Sequence, residues 1–140
     1  MLRKIIKKAR SIFYSGSTFF CPICEKGARK FLTHAARPLA RCPHCGSFER
    51  HRLLWIALQK KWNRNHFNTS GRLLHVAPEK ILTEKLESLY DYTSIDLEEK
   101  KAMYSMDITK LGFSDNDFDV IICNHVLEHI LDDRKAMQEL

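Results

Sequence analysis

Four cysteines constrain this chain more than any other feature. They form Cys21-Pro22-Ile23-Cys24 and Cys42-Pro43-His44-Cys45-Gly46, with seventeen residues between the pairs, a C-x2-C-x17-C-x2-C frame. Two residues between thiols let one tight turn aim both sulfurs at a single ion. A second such turn completes a tetrahedron with Zn–S near ~2.3 Å. Pro22 and Pro43 preset φ in these turns, and Gly46 can take positive φ where the chain leaves the second. The frame predicts a small zinc ribbon over residues 20–46, with Cys21, Cys24, Cys42 and Cys45 as ligands. Four thiolates fill the coordination sphere of Zn2+, so the site is structural, with no open position for catalysis. Disulfides or redox dithiols are the alternative. The basic N-terminus is not followed by an apolar h-region, since Ile12-Phe13-Tyr14 gives way at once to Ser15-Gly16-Ser17. That argues against a cleaved signal peptide and for a reducing, cytoplasmic setting, where disulfides are rare. His34 and His44 are then surface or supporting residues, and the unpaired Cys123, in an apolar run, is a core thiol.

Charge divides the 140 residues into two parts. Residues 1–70 carry 15 Lys/Arg and 2 Asp/Glu, hence +13; residues 71–140 carry 8 and 15, hence −7. Such asymmetry predicts two units, the basic one suited to polyanions such as nucleic acid or lipid head groups. An apolar content of 44% excludes global disorder, and no apolar run approaches the ~18–20 residues of a membrane span. Within the N-terminal segment 1–19, Leu2, Ile5, Ile6, Ala9, Ile12 and Phe13 alternate at helical spacing with Arg3, Lys4, Lys7, Lys8 and Arg10. Such a helix could lie on an anionic membrane surface. The plainer expectation is a helix docked on its own protein with its charged side in solvent. Residues 47–70 predict a connecting helix to about Trp62, with Ser47 as N-cap, and a polar linker from Asn63 to Gly71. Arg50, His51 and Arg52 could grip a phosphate or a substrate anion; a solvated or interdomain face is the plainer role.

In the acidic part, 71–140, strands and helices alternate. Arg72–Val76 is a short apolar strand, and Pro78 suits the first turn of a helix continued by Ile81, Leu82, Leu86 and Leu89. Tyr92–Ile95, Ala102–Met106 and Phe118–Cys123 follow as strands, the last nearly continuous in apolar residues as a buried parallel strand is. Val126–Ile130 and Asp133–Leu140 are helical. The alternation predicts an open α/β sheet. Ligands of such sheets sit beyond the carboxyl ends of the strands, where the order reverses. His75 to Glu79, Asp96, Asp107-Ile108 and Asn124-His125 occupy those ends. Asp96 is placed to accept hydrogen bonds from ribose hydroxyls, and Asp107 from an adenine amino group. Asp115, Asp117 and Asp119 are turn and capping residues. Their spacing resembles part of a calcium loop, but Val120 stands where glycine is needed and Val126 where the closing Glu is needed.

Ser114-Asp115-Asn116-Asp117-Phe118-Asp119-Val120-Ile121-Ile122-Cys123-Asn124-His125-Val126-Leu127-Glu128-His129-Ile130 resembles the fourth-strand segment of type 11 class I S-adenosylmethionine-dependent methyltransferases. Leu73–Glu79 takes the place of the family's first motif and Tyr92–Leu97 of its second. Together with Cys-Pro-His-Cys-Gly-Ser-Phe-Glu-Arg-His-Arg, the chain is similar to a zinc-ribbon subset of bacterial methyltransferase-like proteins. The resemblance covers about residues 20–140. It implies a Rossmann-like open parallel sheet, incomplete at about four strands, behind the ribbon and linking helix. It implies S-adenosylmethionine held by His75, Ala77, Pro78, Glu79, Asp96, Asp107, Ile108 and Asn124, and methyl transfer to an unidentified acceptor. No catalytic residue is assigned, although His125 and His129 are candidates for a general base by residue type. His129 also suits packing or capping. The family's first motif usually has an acid and a glycine-rich turn; here His75, Ala77, Pro78 and Glu79 stand instead. Glu79 is a candidate for the cofactor's ammonium group. The alternatives are an inactive relative acting as a scaffold and a zinc-ribbon nucleic-acid-binding protein. The family's fold continues through three more strands, so the resemblance expects a C-terminal truncation at Leu140, with another segment supplying the missing strands.

Overall fold

A computed structural model describes residues 2–62 and 71–140. The chain divides into two compact units, Met1–Arg64 and Asn65–Leu140. The linker expected from Asn63 lies outside the described residues up to position 70.

The first unit begins with helix α1 (Leu2–Phe13), whose last turn carries Arg10. Strand β1 (Ser15–Cys21) pairs antiparallel with β2 (Lys26–Ala28), and β3 (Leu32–His34) with β4 (Arg37–Arg41). Each hairpin leads into or out of one cysteine turn. The two turns are built alike: Glu25 N donates to Cys21 O at 2.8 Å and Gly46 N donates to Cys42 O at 3.0 Å. Both residues lie at positive φ, 55° for Glu25 and 88° for Gly46. The second turn therefore uses the glycine that the geometry favours, while the first makes the same bend with a glutamate.

Helix α2 (Glu49–Trp62) closes this unit by burying His51, Trp55 and Leu58 at successive turns of one face. They cover a small core with Ile23, Ala28, Phe31 and Ala40. Ser47 is not its N-cap. The helix starts two residues later, and His51 Nδ1 accepts from Phe48 N at 3.1 Å, closing the first turn as a glutamate does in a capping box.

The second unit is a four-stranded sheet of order β7-β6-β5-β8. Its strands are β5 (Arg72–Val76), β6 (Asp91–Asp96), β7 (Tyr104–Ser105) and β8 (Val120–Cys123), all parallel. In sequence order the strands run third, second, first, fourth, so the order reverses between β5 and β8. Register is set by Leu73 opposite both Tyr92 and Val120. One sheet face carries Leu74, Val76 and Ile95, packed with Ile108 and Ala136 and bordered by Met106, Phe113, Phe118, Ile121, Cys123 and Leu127. Cys123 thus joins the core but is only partly covered. Burial raises its thiol pKa. Buried Leu82 and Leu86 of helix α3 (Lys80–Glu87) form the covered stripe of that helix. Pro78 precedes this helix rather than starting it, and Glu79 is its N-cap. The helix expected at Val126–Ile130 is one short 3-10 turn, Leu127–His129, before α4 (Asp133–Glu139). Asp132 caps α4 by accepting from Lys135 N at 3.0 Å. On its outer side β8 has no strand partner among the described residues.

Candidate functional site

In the first unit the two cysteine turns bring four sulfurs together. All lie within 4.8 Å of one another, with Cys21 to Cys45 at 3.7 Å and Cys24 to Cys42 at 3.8 Å. A disulfide would require about 2.05 Å. A tetrahedron with Zn–S near ~2.3 Å has edges of about 3.8 Å, the spacing of the Cys21–Cys45 and Cys24–Cys42 pairs. Four thiols at that distance resist ionising together. Hydrogen bonding with Cys42 and Cys45 pushes Cys21 far down, Cys42 goes far up through its bond with Cys21, and burial lifts Cys24 to about 12. A divalent cation at the centre would relieve this conflict. The cluster could therefore hold a metal ion, and its four sulfurs leave no open position on a tetrahedral one.

The surroundings of the cluster include residues that spacing could not identify. Ser47, fully buried, sets its hydroxyl 3.3 Å from Cys21 Sγ and 3.2 Å from Cys45 Sγ. His44 is buried too: Nε2 donates to Gly27 O at 2.9 Å, so Nδ1 accepts from Ser11 Oγ at 2.6 Å. Arg10 Nε donates to Pro43 O at 3.1 Å. Helix α1 is thus tied to the second cysteine turn through polar groups. Arg52 is turned inward, donating to Ala40 O and Ser47 O and lying over the Phe31 ring. Arg37, Arg41 and Arg50 gather around Phe48, with guanidinium carbons 5.2–6.0 Å from the ring centroid. His34 packs against the same ring at a tilt, with centroids 4.7 Å apart. These contacts join β3, β4 and the start of α2.

In the second unit the carboxyl ends of β5 and β6 frame a cleft of about 120 Å3. Val76, Ala77, Ile95, Asp96, Met106, Asp107 and Ile108 line it, with Val126 and Ile130 beyond β8. Four of the eight cofactor residues expected from sequence therefore meet there: Ala77, Asp96, Asp107 and Ile108. Ala77 makes the turn after β5 at φ +49°, and its N donates to Ile95 O at 2.8 Å. That backbone conformation favours glycine, so the turn keeps a glycine's shape without the residue. Asp96 Oδ1 accepts from Glu98 N at 2.9 Å, which fixes the carboxylate at the strand end. Asp107 Oδ1 accepts from both Thr109 N and Thr109 Oγ1 at 2.8 Å, and the backbone bond is the leading cause of its lowered pKa.

Residues 79–140 match the methyltransferase domain family. No curated protein and no solved structure matches the chain. The methyltransferase match begins at Glu79, immediately after the Ala77 turn, and runs through β6, β7, β8 and α4. The segment standing in for the first motif lies outside it. There His75 is buried with Nδ1 3.0 Å from Tyr92 Oη, and Thr83 Oγ1 lies 3.5 Å from that hydroxyl. Burial lowers the His75 pKa to about 4, with Glu79 opposing the shift. His75 is thus a neutral core residue and does not line the cleft. Pro78 lines a separate hollow with Thr83, Ser94 and Met103. Asn124 stands at the end of β8, also outside the cleft lining.

His125, at φ +55°, donates from Nδ1 to Glu128 Oε1 at 3.1 Å, and both side chains are exposed. His129 is exposed on the 3-10 turn. The acidic turn before β8 is structural: Asp119 Oδ2 accepts from Arg72 N at 2.7 Å and Asp117 pairs with Arg72 Nη1 at 3.0 Å. A larger cavity of about 320 Å3 lies beside this turn, lined by Phe113, Ser114, Asp117, Phe118 and Glu139. It is at the amino end of β8, the end opposite the one where ligands of open α/β sheets bind.

Proposed function

We propose that the Asn65–Leu140 unit binds S-adenosylmethionine and serves methyl transfer, and that the four cysteines hold one structural Zn2+ in the Met1–Arg64 unit. The methyltransferase-domain match supports the first part, and the single observation that carries it is the position of Asp96. Its carboxylate ends β6 beside the Ala77 turn, in a cleft next to the reversal of strand order. An acid there accepts from a ribose diol, while Leu97 and Ile108 offer apolar contact to a base. The cleft is smaller than the ~300–1,000 Å3 usual for ligand pockets and suits one ring system rather than a whole nucleoside with its amino acid. The cofactor supplies a methyl group on a sulfonium, already a good leaving group. The protein's share is to orient the acceptor and exclude water. The His125–Glu128 pair stands on the same carboxyl side of the sheet, where a hydroxyl or amine acceptor would need a base.

Calorimetry of the zinc-loaded full chain with S-adenosylmethionine and its demethylated product tests this reading. Asp96→Asn keeps an oxygen for Glu98 N but loses the anionic acceptor, so binding weakens about tenfold or more while the fold persists. Asp91→Asn, at the other end of β6, leaves affinity unchanged. Absence of binding by the wild-type chain at about millimolar cofactor, some thousandfold above a micromolar Kd, removes the enzyme reading.

A further inference from the structure

Helix α1 presents its apolar side to solvent. Ile6, Ile12 and Phe13 are 56%, 68% and 62% exposed, and Ala9 between them is exposed as well. These positions share one helical stripe, and Leu2 and Ile5 recur at the same spacing in the sequence. The side of α1 that meets its own unit is polar: Arg10 reaches Pro43 O and Ser11 reaches His44. This reverses the arrangement expected of a helix docked on its own protein with its charged side in solvent. Arg29 covers only part of Phe13, lying 4.7 Å over the ring.

The composition of the segment selects the occupant. Arg3, Lys4, Lys7, Lys8 and Arg10 flank the apolar positions, and the first acid in the chain is Glu25. Twelve residues give a helix of ~18 Å, too short to cross a bilayer. No helix among the described residues is long and apolar enough to do so. A short helix with an uncovered Ile/Phe stripe, flanked by cations and without a carboxylate, matches an interface that is apolar below and anionic at its surface. A nucleic acid would use the cations and leave the isoleucines in water. We propose that α1 is an interfacial anchor lying in the plane of an anionic lipid bilayer, with Ile6, Ala9, Ile12 and Phe13 inserted and the net positive charge of the segment drawing it to the head groups. The binding is reversible, because one short helix inserts few side chains and each cation near the surface adds only about fivefold. This inference is independent of cofactor binding.

Co-sedimentation of the zinc-loaded full chain with vesicles decides it. Binding is expected to vesicles of phosphatidylcholine mixed with phosphatidylserine, to be much weaker to phosphatidylcholine alone, and to fall as salt rises. Ile6→Asp and Ile12→Asp each lower partitioning at least about tenfold, and the milder Ile12→Gln lowers it less. Leu53→Asp, equally exposed on α2, leaves it unchanged. Retained zinc and far-ultraviolet circular dichroism establish that the variants fold. Equal or absent binding to the two vesicle types overturns the proposal, as does an equal loss with Leu53→Asp. A lipid-free dimer that Ile12→Asp dissociates would assign the stripe to a second copy instead. Binding of a labelled oligouridylate without any binding to vesicles would assign the basic surface to nucleic acid.

Discussion

The turn after β5 offers a sharp test of the reasoning. Ala77 is held at φ +49° by its own hydrogen bond to Ile95 O and by the entry into α3. A residue with a Cβ pays roughly 1–2 kcal/mol for the left-handed region, which glycine does not. Glycine gives back roughly 0.5–1 kcal/mol through the greater freedom of its unfolded chain. Ala77→Gly should therefore stabilise the Asn65–Leu140 unit by about 0.5–1 kcal/mol. For a unit of this size, each kcal/mol moves the midpoint by about 4–8 °C, so Tm should rise by about 2–8 °C. Ala77→Val should do the opposite, losing at least about 1 kcal/mol, because a branched Cβ at positive φ is a steric outlier. Differential scanning calorimetry of the full chain reads both, taking the transition that survives a chelator as that of this unit. If Ala77→Gly melts at or below the wild type, or Ala77→Val melts with it, the turn does not carry the strain assigned to it.

Two further outcomes follow from the same geometry. The chain should bind one Zn2+, measured by metal analysis, and Cys42→Ser or a strong chelator should unfold the Met1–Arg64 unit while leaving the other transition in place; affinity should fall with pH, since thiols must lose protons to bind. His75 should make the Asn65–Leu140 unit acid-sensitive: burial lowers its pKa from 6.5 to about 4, so the unfolded chain takes up its proton first. The stabilisation from keeping it neutral is present above pH 6.5 and lost progressively down to about 4, a change of about 3 kcal/mol that levels off below. Urea midpoints measured across that window should show the slope, and the His75→Phe/Tyr92→Phe double variant should flatten it.

Much of this structure is legible in the sequence where a short-range rule applies. Cysteine spacing is such a rule, because two thiols three positions apart already imply a shared centre, and the four sulfurs do converge. Alternating apolar runs are another: β5 coincides with its run, β6 extends one residue beyond its run at each end, and β8 starts two residues later than expected. What fails depends on partners distant in sequence. Ser47 looks like an N-cap because serine often is one, yet its hydroxyl is recruited by sulfurs of both cysteine turns. His75 looks like a ligand because it lies next to the carboxyl end of a strand, but strand residues alternate between faces. Position 75 shares a face with Tyr92 on the adjacent strand, and a ring nitrogen buried there needs the hydroxyl it finds. The cleft takes residues from the turn and from β6 instead.

The orientation of α1 shows the same boundary from the other side. Periodicity states that a helix has an apolar face; it says nothing about what covers that face. In a large domain the answer is nearly always the core, which makes docking through the stripe the natural expectation. The Met1–Arg64 unit is too small for that rule. Its interior is filled by the cysteine cluster, Ile23, Phe31 and the Trp55–Leu58 face of α2, and α1 adds no large apolar side chain of its described positions 6 and 9–13 to it. What the ribbon offers α1 is polar: the carbonyl of Pro43 and the ring of His44 beside the second cysteine turn. Arg10 and Ser11 take those partners, and the turn of the helix that carries them inward leaves Ile6, Ala9, Ile12 and Phe13 facing outward. With the proposed Zn2+ in its cysteine cluster, such a unit would be able to expose an apolar helix face without unravelling, because its fold would rest on the metal and not on burying that face.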